Sequence, residues 1–507
     1  MISIATNDSK FDDFDVGSEI FDETDLPLDA IDGGWRLTLL VIGLIPVAGL
    51  GAFGLQTDND LVTYVQAILI YAAISLPIAL KRRYHAVEPY SIIFAILYLG
   101  VPMKMVWALF NRDSEKWMSV MQNEGVAAIN QPGWLMLLAC LLLAVGYLFG
   151  HNLMIRIPTP GWGRDRTWRQ GTLFWVCGLF AGISVVIFAL YAQQVGLGSG
   201  ALSAKRFADD GTGPMGRGSN MAYYRWAVSL SQIAFYLLLA WFLRRGVRRR
   251  EVFTLLCIMS IPIVMSFLMP FVTSSRTPLA FFLVESLIVF YCIRSDAFTG
   301  RALMIQGGAI VSVVVFFMAI LSLRQSGDAQ EVDMNDITPI AMIDHVVGAR
   351  YLADVTKFAR ICDAVPKDTP HLNGTSYVSA LTAPIPRSSW PNKPSVGMGP
   401  HVGETVYRLE KTGVPPGLFG EAYFNFGLPG TLIIPVLFGW VCRISFEIFR
   451  PRIRYLGSAV LYAICFRWYV CALGMDMSSA LVQFAMEFIP AAGVIWYLNQ
   501  NGRPQWH

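Results

Sequence analysis

Runs of roughly 20 predominantly apolar residues, the length a helix needs to cross the hydrocarbon core of a bilayer, recur from one end of the chain to the other. They lie at 36–54, 61–80, 90–110, 133–154, 171–192 and 222–243, and again at 252–271, 277–294, 301–323, 420–446, 456–474 and 479–498. A helix satisfies its own backbone N–H and C=O groups, as lipid requires. The expected fold is therefore an all-α polytopic membrane protein with about twelve transmembrane helices. Composition agrees: 54% of the residues are hydrophobic and 15% charged, where soluble domains carry roughly 25% charged residues.

Alternate connecting loops are basic: KRRYH (81–85), RIPTPGWGRDRTWRQ (156–170), RRGVRRR (244–250), RSDAFTGR (294–301) and RPRIRY (450–455). The loops QTDND (56–60) and MDMSS (475–479) contain neither lysine nor arginine. By the positive-inside rule the basic set is cytoplasmic, which places both termini inside and the intervening loops outside. The chain then divides into an acidic cytoplasmic tail (1–33), helices one to nine (34–323), one large outer loop (324–419) and helices ten to twelve (420–507). The tail reads as solvated and disordered, and it lacks the basic flank and cleavage site of a signal peptide. Seven of the eight cysteines fall in apolar segments and only Cys362 in a polar loop, which argues against a disulfide framework.

The outward segments hold many cations, among them Arg217, Arg276, Arg324, Arg350, Arg387 and Lys393. Arg276, alone in the tight turn TSSRTP (273–278), either faces an anion at the membrane surface or snorkels to head groups. HVVGARYLADVTKFARICDAV (345–365) has helical periodicity, with Val347, Tyr351, Val355, Phe358 and Cys362 on one face and Arg350, Asp354, Lys357 and Arg360 along another. It reads as an amphipathic helix, lying on the outer leaflet with a basic stripe exposed or packing against the bundle.

TAPIPRSSWPNKPSVGMGPHVGETVY (382–407) carries Pro384, Pro386, Pro391 and Pro394, which stiffen a backbone that lipid cannot hold. Arg387 offers a planar fork suited to phosphate, Lys393 a point-like cation, and Trp390 a flat face for a sugar ring or isoprenoid. His401 and Glu404 are titratable groups in the same stretch. In GLFGEAYFNFGLPG (417–430), Glu421 and Asn425 share a helical face, and Tyr423, Phe424 and Phe426 resemble an interfacial aromatic belt. Glu421 is read either as a base or as the partner of an arginine. Deeper ionisable residues, Glu285, Arg467 and Glu487, are expected to face the bundle interior.

His345, His371 and His401 lack metal-ligand spacing, and no phosphate-binding glycine loop is present, so no metal or cofactor is expected. A multi-cation outer site with aromatic faces fits a lipid-linked diphosphate, whose departing charge fixed arginines stabilise. The candidate catalytic residues are Arg276, Arg387, Glu421 and His401. The candidate substrate contacts are Arg350, Lys393, Trp390, Arg324, Tyr423, Asn425 and Arg217.

SSRTPLAFF (274–282), LNGTSYVSALTAPIPRSSWPNKP (372–394) and GEAYFNFGLPGTL (420–432) resemble the O-antigen (oligosaccharide repeat-unit) polymerase family over roughly residues 270–440. The resemblance implies an inverting, metal-independent glycosyltransferase of the GT-C type in the bacterial inner membrane, with its active site facing the periplasm. Its substrates would be oligosaccharide donor and acceptor carried on undecaprenyl diphosphate, in contact with membrane lipids. A chain-length regulator protein is an expected partner, and nucleic acid is not. By position, Arg276, Arg387 and Lys393 match the family's basic residues, whereas the family shares no single base. An O-antigen ligase, a lipid-linked sugar flippase and a structural or sensor protein are the alternatives.

Overall fold

The computed structural model describes residues 31, 33–56, 58–111, 127–150, 166–195, 221–245, 253, 256–266, 277–294, 347, 353–385, 389–390, 396–409 and 413–504. Among them the chain is almost entirely helical. The first half contains α1 (Gly33–Phe53), α2 (Asp58–Leu80), α3 (Pro89–Gly100), α4 (Pro102–Phe110), α5 (Ala127–Phe149), α6 (Gln170–Val195) and α7 (Met221–Arg245). It continues with α8 (Leu256–Ser266) and α9 (Thr277–Ile293). Three short helices follow, α10 (Val355–Ala364), α11 (Thr375–Thr382) and α12 (Gly399–Thr405), then the long α13 (Gly417–Phe449), α14 (Leu456–Gly474) and α15 (Met477–Gln500). A two-residue antiparallel pair joins β1 (Arg166–Thr167) to β2 (Arg503–Pro504) near the C-terminus.

Eight of these units are long and apolar enough to cross a membrane: α1, α2, α3 with α4, α5, α6, α13, α14 and α15. Shorter apolar helices occur at Ser229–Arg244, Leu256–Ser266 and Phe281–Ile293. Among the described residues the fold is predominantly helical and is that of a multi-pass membrane protein. The expected span at 301–323 lies outside the described residues.

Burial ranks the helices. In α14 94% of the spanning window is buried, against 11% in α1, so α14 is the central post and α1 an outer, lipid-facing helix. At the crossing of α5 and α13 glycine replaces larger side chains. A Cβ on Gly439 would lie 2.3 Å from the Leu143 carbonyl oxygen, and one on Gly146 would lie 2.2 Å from that of Val436. Without hydrophobic drive between helices in lipid, such close backbone packing is a main source of cohesion.

Two spans expected as single helices are interrupted. The 90–110 run breaks at Val101 (φ −121°, ψ −81°), because Pro102 lacks an N–H and crowds the residue before it. Helix α13 breaks at Gly427 (φ 61°, ψ −140°), a conformation that favours glycine. A Cβ there would also meet the His371 ring at 3.2 Å.

The described residues of the basic loops, at 81–85, 166–170, 244–245 and 450–455, gather at one end of the bundle. The Arg36 guanidinium donates to the Ile78 carbonyl at 3.2 Å, and the Ile31 amide donates to Tyr84. Glu88 receives Lys81, the Tyr147 hydroxyl and Arg443, and Glu447 receives Arg443 and Arg450. Arg244 donates to the Arg454 carbonyl at 2.7 Å, and the Trp168 indole to Asn499 at 2.8 Å.

Gly439→Ala is expected to lower stability by about 1–3 kcal/mol through overpacking. Gly178→Ala, with nothing within 4 Å of the new methyl, is expected to leave it unchanged. Thermal unfolding of the purified protein in detergent checks both.

Candidate functional site

At the opposite end, α10, α11 and α12 form a layer over the bundle. Its first attachment is a buried ion pair in which Lys104 of α4 meets Asp354 at 2.7 Å. Asp354 also caps α10, accepting from the Thr356 and Lys357 amides at 2.9 and 3.4 Å. Burial would raise its carboxyl, but Lys104 and Lys357 outweigh that and hold it below its ordinary value. The cap starts the helix at Val355, so the longer amphipathic helix expected over 345–365 does not run through Asp354. Of the two readings open for its basic face, packing against the bundle is the one that holds at Lys357. Lys357 is 2% exposed and donates to the Pro415 carbonyl at 2.9 Å, because α10 is packed into the bundle rather than laid on lipid.

The second attachment is a polar node around Glu421 and Asn425, one turn apart on α13 and both fully buried. One Glu421 carboxylate oxygen accepts from the Ser376 hydroxyl at 2.7 Å and the Ser478 hydroxyl at 3.3 Å; the other accepts from the Met477 amide at 2.5 Å. Asn425 Oδ1 accepts from the Gly374 amide at 3.0 Å, and its Nδ2 donates to Ser376 Oγ and the Glu421 carbonyl at 2.8 Å each. Gly374 has φ 87° and begins α11, so the Asn373–Gly374 turn is locked directly onto α13.

The third attachment is Asp476, 2% exposed, which caps α15 by accepting from the Ser479 amide at 2.7 Å. The Met398 amide donates to the same carboxylate. Burial raises the Asp476 carboxyl, with these hydrogen bonds opposing. The approach of the returning chain is tight: a Cβ on Gly397 would lie 3.0 Å from Ser479 Oγ. The Ser379 hydroxyl also reaches the Val396 carbonyl at 3.4 Å. Both ends of the proline-rich segment, α11 going in and Val396–Met398 coming out, thus converge on the 475–479 turn.

Aromatic rings fill the rest. Tyr377 stacks on Phe426 with centroids 6.1 Å apart, and its hydroxyl is buried with no hydrogen-bond partner. Burial, then the charges of Glu421 and Asp476, push its phenol well above the ordinary value. His401 lies on α12, edge-on to Phe424 at 5.5 Å, with Nε2 buried and unpartnered. Burial lowers the His401 pKa, with Glu404 opposing. Tyr423 is half-buried against Phe358 and His371, while Trp390 is 40% exposed. The expected interfacial belt is not one surface, because Phe424 is 0% exposed and Phe426 40%. Phe424 belongs to the core shared by α10, α12 and α13.

Of the residues proposed from sequence, Glu421 and Asn425 come together in the node, Tyr423 and His401 flank it, and Trp390 is at the surface. Arg217, Arg276, Arg324, Arg350, Arg387 and Lys393 lie outside the described residues. Sequence reasoning missed Ser376, Ser478, Asp476, Tyr377 and Lys104. A signal existed for two of them: an ionisable residue inside a span (Lys104), and Asp476 at the Asp-x-x-Ser start of a helix. Among the described residues no group of three or more His, Cys, Asp or Glu is placed to hold a metal.

Lys104→Met is expected to cost about 3–5 kcal/mol by stranding a buried carboxylate, and the double change with Asp354→Asn to recover part of it. A double-mutant cycle of unfolding midpoints checks this. His401 titrates lower in the folded protein than its unfolded value of about 6.5. Its contribution to stability is therefore present above that pH and lost as pH falls through the folded value. His401→Gln is expected to flatten the loss of thermal stability on acidification.

No family model matches the chain, and neither a curated protein nor a solved structure shows significant similarity to it.

Proposed function

We propose that this chain is a GT-C-like membrane glycosyltransferase that polymerises oligosaccharide repeat units carried on undecaprenyl diphosphate. One observation carries the reading: both ends of the segment bearing Arg387, Trp390 and Lys393 are fastened to the turn at 475–479 through two buried carboxylates, Glu421 and Asp476. Clamping a loop at its base shortens the free segment that carries its charges, and preorganised charge is what stabilises a departing diphosphate. The gathering of basic loops at the other end supports a periplasmic location for this layer, by the positive-inside rule. A span at 301–323 would bring the count to twelve helices.

In this reading the acceptor hydroxyl attacks the anomeric carbon of the donor, and the bond from that carbon to the diphosphate oxygen breaks with inversion. The bonding electron pair leaves with the diphosphate, held by Arg276, Arg387 and Lys393, with Arg217, Arg324 and Arg350 as further cations. The acceptor's proton goes to His401, whose Nε2 is unpartnered and whose low pKa keeps it neutral at neutral pH. Glu421 is a positioning residue here, because both of its oxygens are engaged. Trp390 offers its exposed face to a sugar ring.

Purified protein supplied with lipid-linked repeat units is expected to yield a ladder of products, which Arg387→Ala and Arg276→Ala abolish while the protein stays folded. A single transfer to a lipid A core instead of a ladder would indicate a ligase. Native-rate polymerisation by both arginine variants would overturn the reading. His401→Gln is expected to lower kcat with an unfolding midpoint unchanged at neutral pH, and to remove the acidic limb of the pH–rate profile. Glu421→Gln is expected to lower stability and activity together.

A further inference from the structure

About 10 Å below the Met475 turn, counted as seven residues of helix rise from Gly474, Arg467 lies in the middle of the bundle. Its guanidinium makes a two-point contact with Glu285 of α9, Nε to Oε1 at 2.9 Å and Nη2 to Oε2 at 3.2 Å. Nη2 also donates to Gln232 Oε1 of α7 at 3.0 Å, and Nη1 donates to Glu487 Oε1 of α15. Gln232 in turn donates to Ser266 of α8 at 3.2 Å, and the guanidinium lies over the Phe281 ring at 5.0 Å. Four helices therefore meet at one cation, and α8 joins them through Gln232. The three ionisable groups are 0%, 7% and 7% exposed for Glu285, Arg467 and Glu487.

The charges do not balance. Among the described residues the cluster holds one guanidinium and two carboxylates, leaving one uncompensated negative charge inside the membrane. Isolated buried charge costs several kcal/mol even after relaxation, so the cluster is stable only with a further positive charge. The two-point guanidinium contact identifies Glu285 as the ionised partner, since that geometry uses both carboxylate oxygens as acceptors. Glu487 receives a single contact and is the group left to carry the compensation. A second observation points the same way. The Tyr236 hydroxyl, 1% exposed, is turned to Glu285 but makes no hydrogen bond of full geometry, so a polar group is spare at the cluster. The titratable or charged groups facing Glu487 are Arg467 and Cys471 from α14, Glu285 from α9 and Tyr236 from α7.

We propose that the Glu285–Arg467–Glu487 cluster is an intramembrane proton site, in which the Glu487 carboxylate takes up one proton to become a neutral acid and releases it again. The site uses no residue of the glycosyl-transfer reading and stands or falls independently of it. It gives the bundle a protonation-dependent contact between α14 and α15, the two helices whose connecting turn anchors the outer layer.

The test is infrared spectroscopy of the full-length protein in lipid nanodiscs, in H2O and D2O. The wild type at neutral pH is expected to show a deuterium-sensitive carboxylic-acid C=O band, lost in Glu487→Gln and lost from the wild type on alkaline titration together with thermal stability. Glu487→Gln, a neutral isostere of the protonated acid, is expected to keep the wild-type unfolding midpoint at neutral pH. A band unchanged in folded Glu487→Gln protein, or no such band in the wild type, overturns the proposal. So does a band that appears only when sodium is removed, because the compensating ion is then sodium. Should Glu487→Gln not fold, the wild-type titration decides: a band unaltered by alkaline pH overturns the proposal.

Discussion

A carboxylate cut off from water at the beginning of a membrane helix sets the geometry of the layer above it. Glu421 is fully buried, and an unsatisfied carboxylate there would be costly, so its oxygens must find donors. They find Ser376 from α11, and Met477 and Ser478 from the start of α15. Each donor fixes a different part of the chain. Ser376 orients the helix that leads into the proline-rich segment, and the Met477 amide ties the α14–α15 turn to α13. Asn425 adds the Gly374 turn, so the outer layer is registered to the bundle by hydrogen bonds with directional requirements, where apolar packing alone would let it slide.

The same logic recurs at three depths. Lys104 with Asp354 joins α4 to the outer layer, Arg467 with Glu285 and Glu487 joins α9, α14 and α15, and Glu88 with Lys81, Tyr147 and Arg443 joins the basic end. Buried ion pairs are poor sources of net stability compared with apolar packing, yet breaking one is severe. Their value here is registration between helices whose apolar surfaces carry little information about rotation or depth. Close glycine crossings such as Gly439 on Leu143 supply the cohesion, and the polar contacts specify which arrangement is cohesive.

Much of this was readable in the chain. Most of the apolar runs that fall on described residues announced their helices within a few residues; α14 spans the segment expected at 456–474. The four-residue spacing of Glu421 and Asn425 put them on one face. Gly100–Val101–Pro102 and Gly427–Leu428–Pro429 are visible as breaks in retrospect, since each joins glycine to a proline that cannot continue the hydrogen-bond ladder. Which of its two open packings α10 takes, and that Lys357 is buried by it, was not readable. Lys357 and Asp354 alternate with apolar residues as on any amphipathic helix, and only the arrival of Lys104, 250 positions away, makes their burial tolerable.

The sequence by itself determined that the chain crosses a membrane many times and where its outer cations and prolines fall, because lipid imposes length and hydrophobicity locally. Only the tertiary structure decided what the buried charges do. Partners of Glu421 lie 45 and 56 residues away, and those of Arg467 at separations of 20, 182 and 235, all beyond the reach of a local helical pattern. A carboxylate in an apolar segment states that a partner must exist. Which partner it is depends on how the helices rotate and cross, a matter settled by the whole packed bundle.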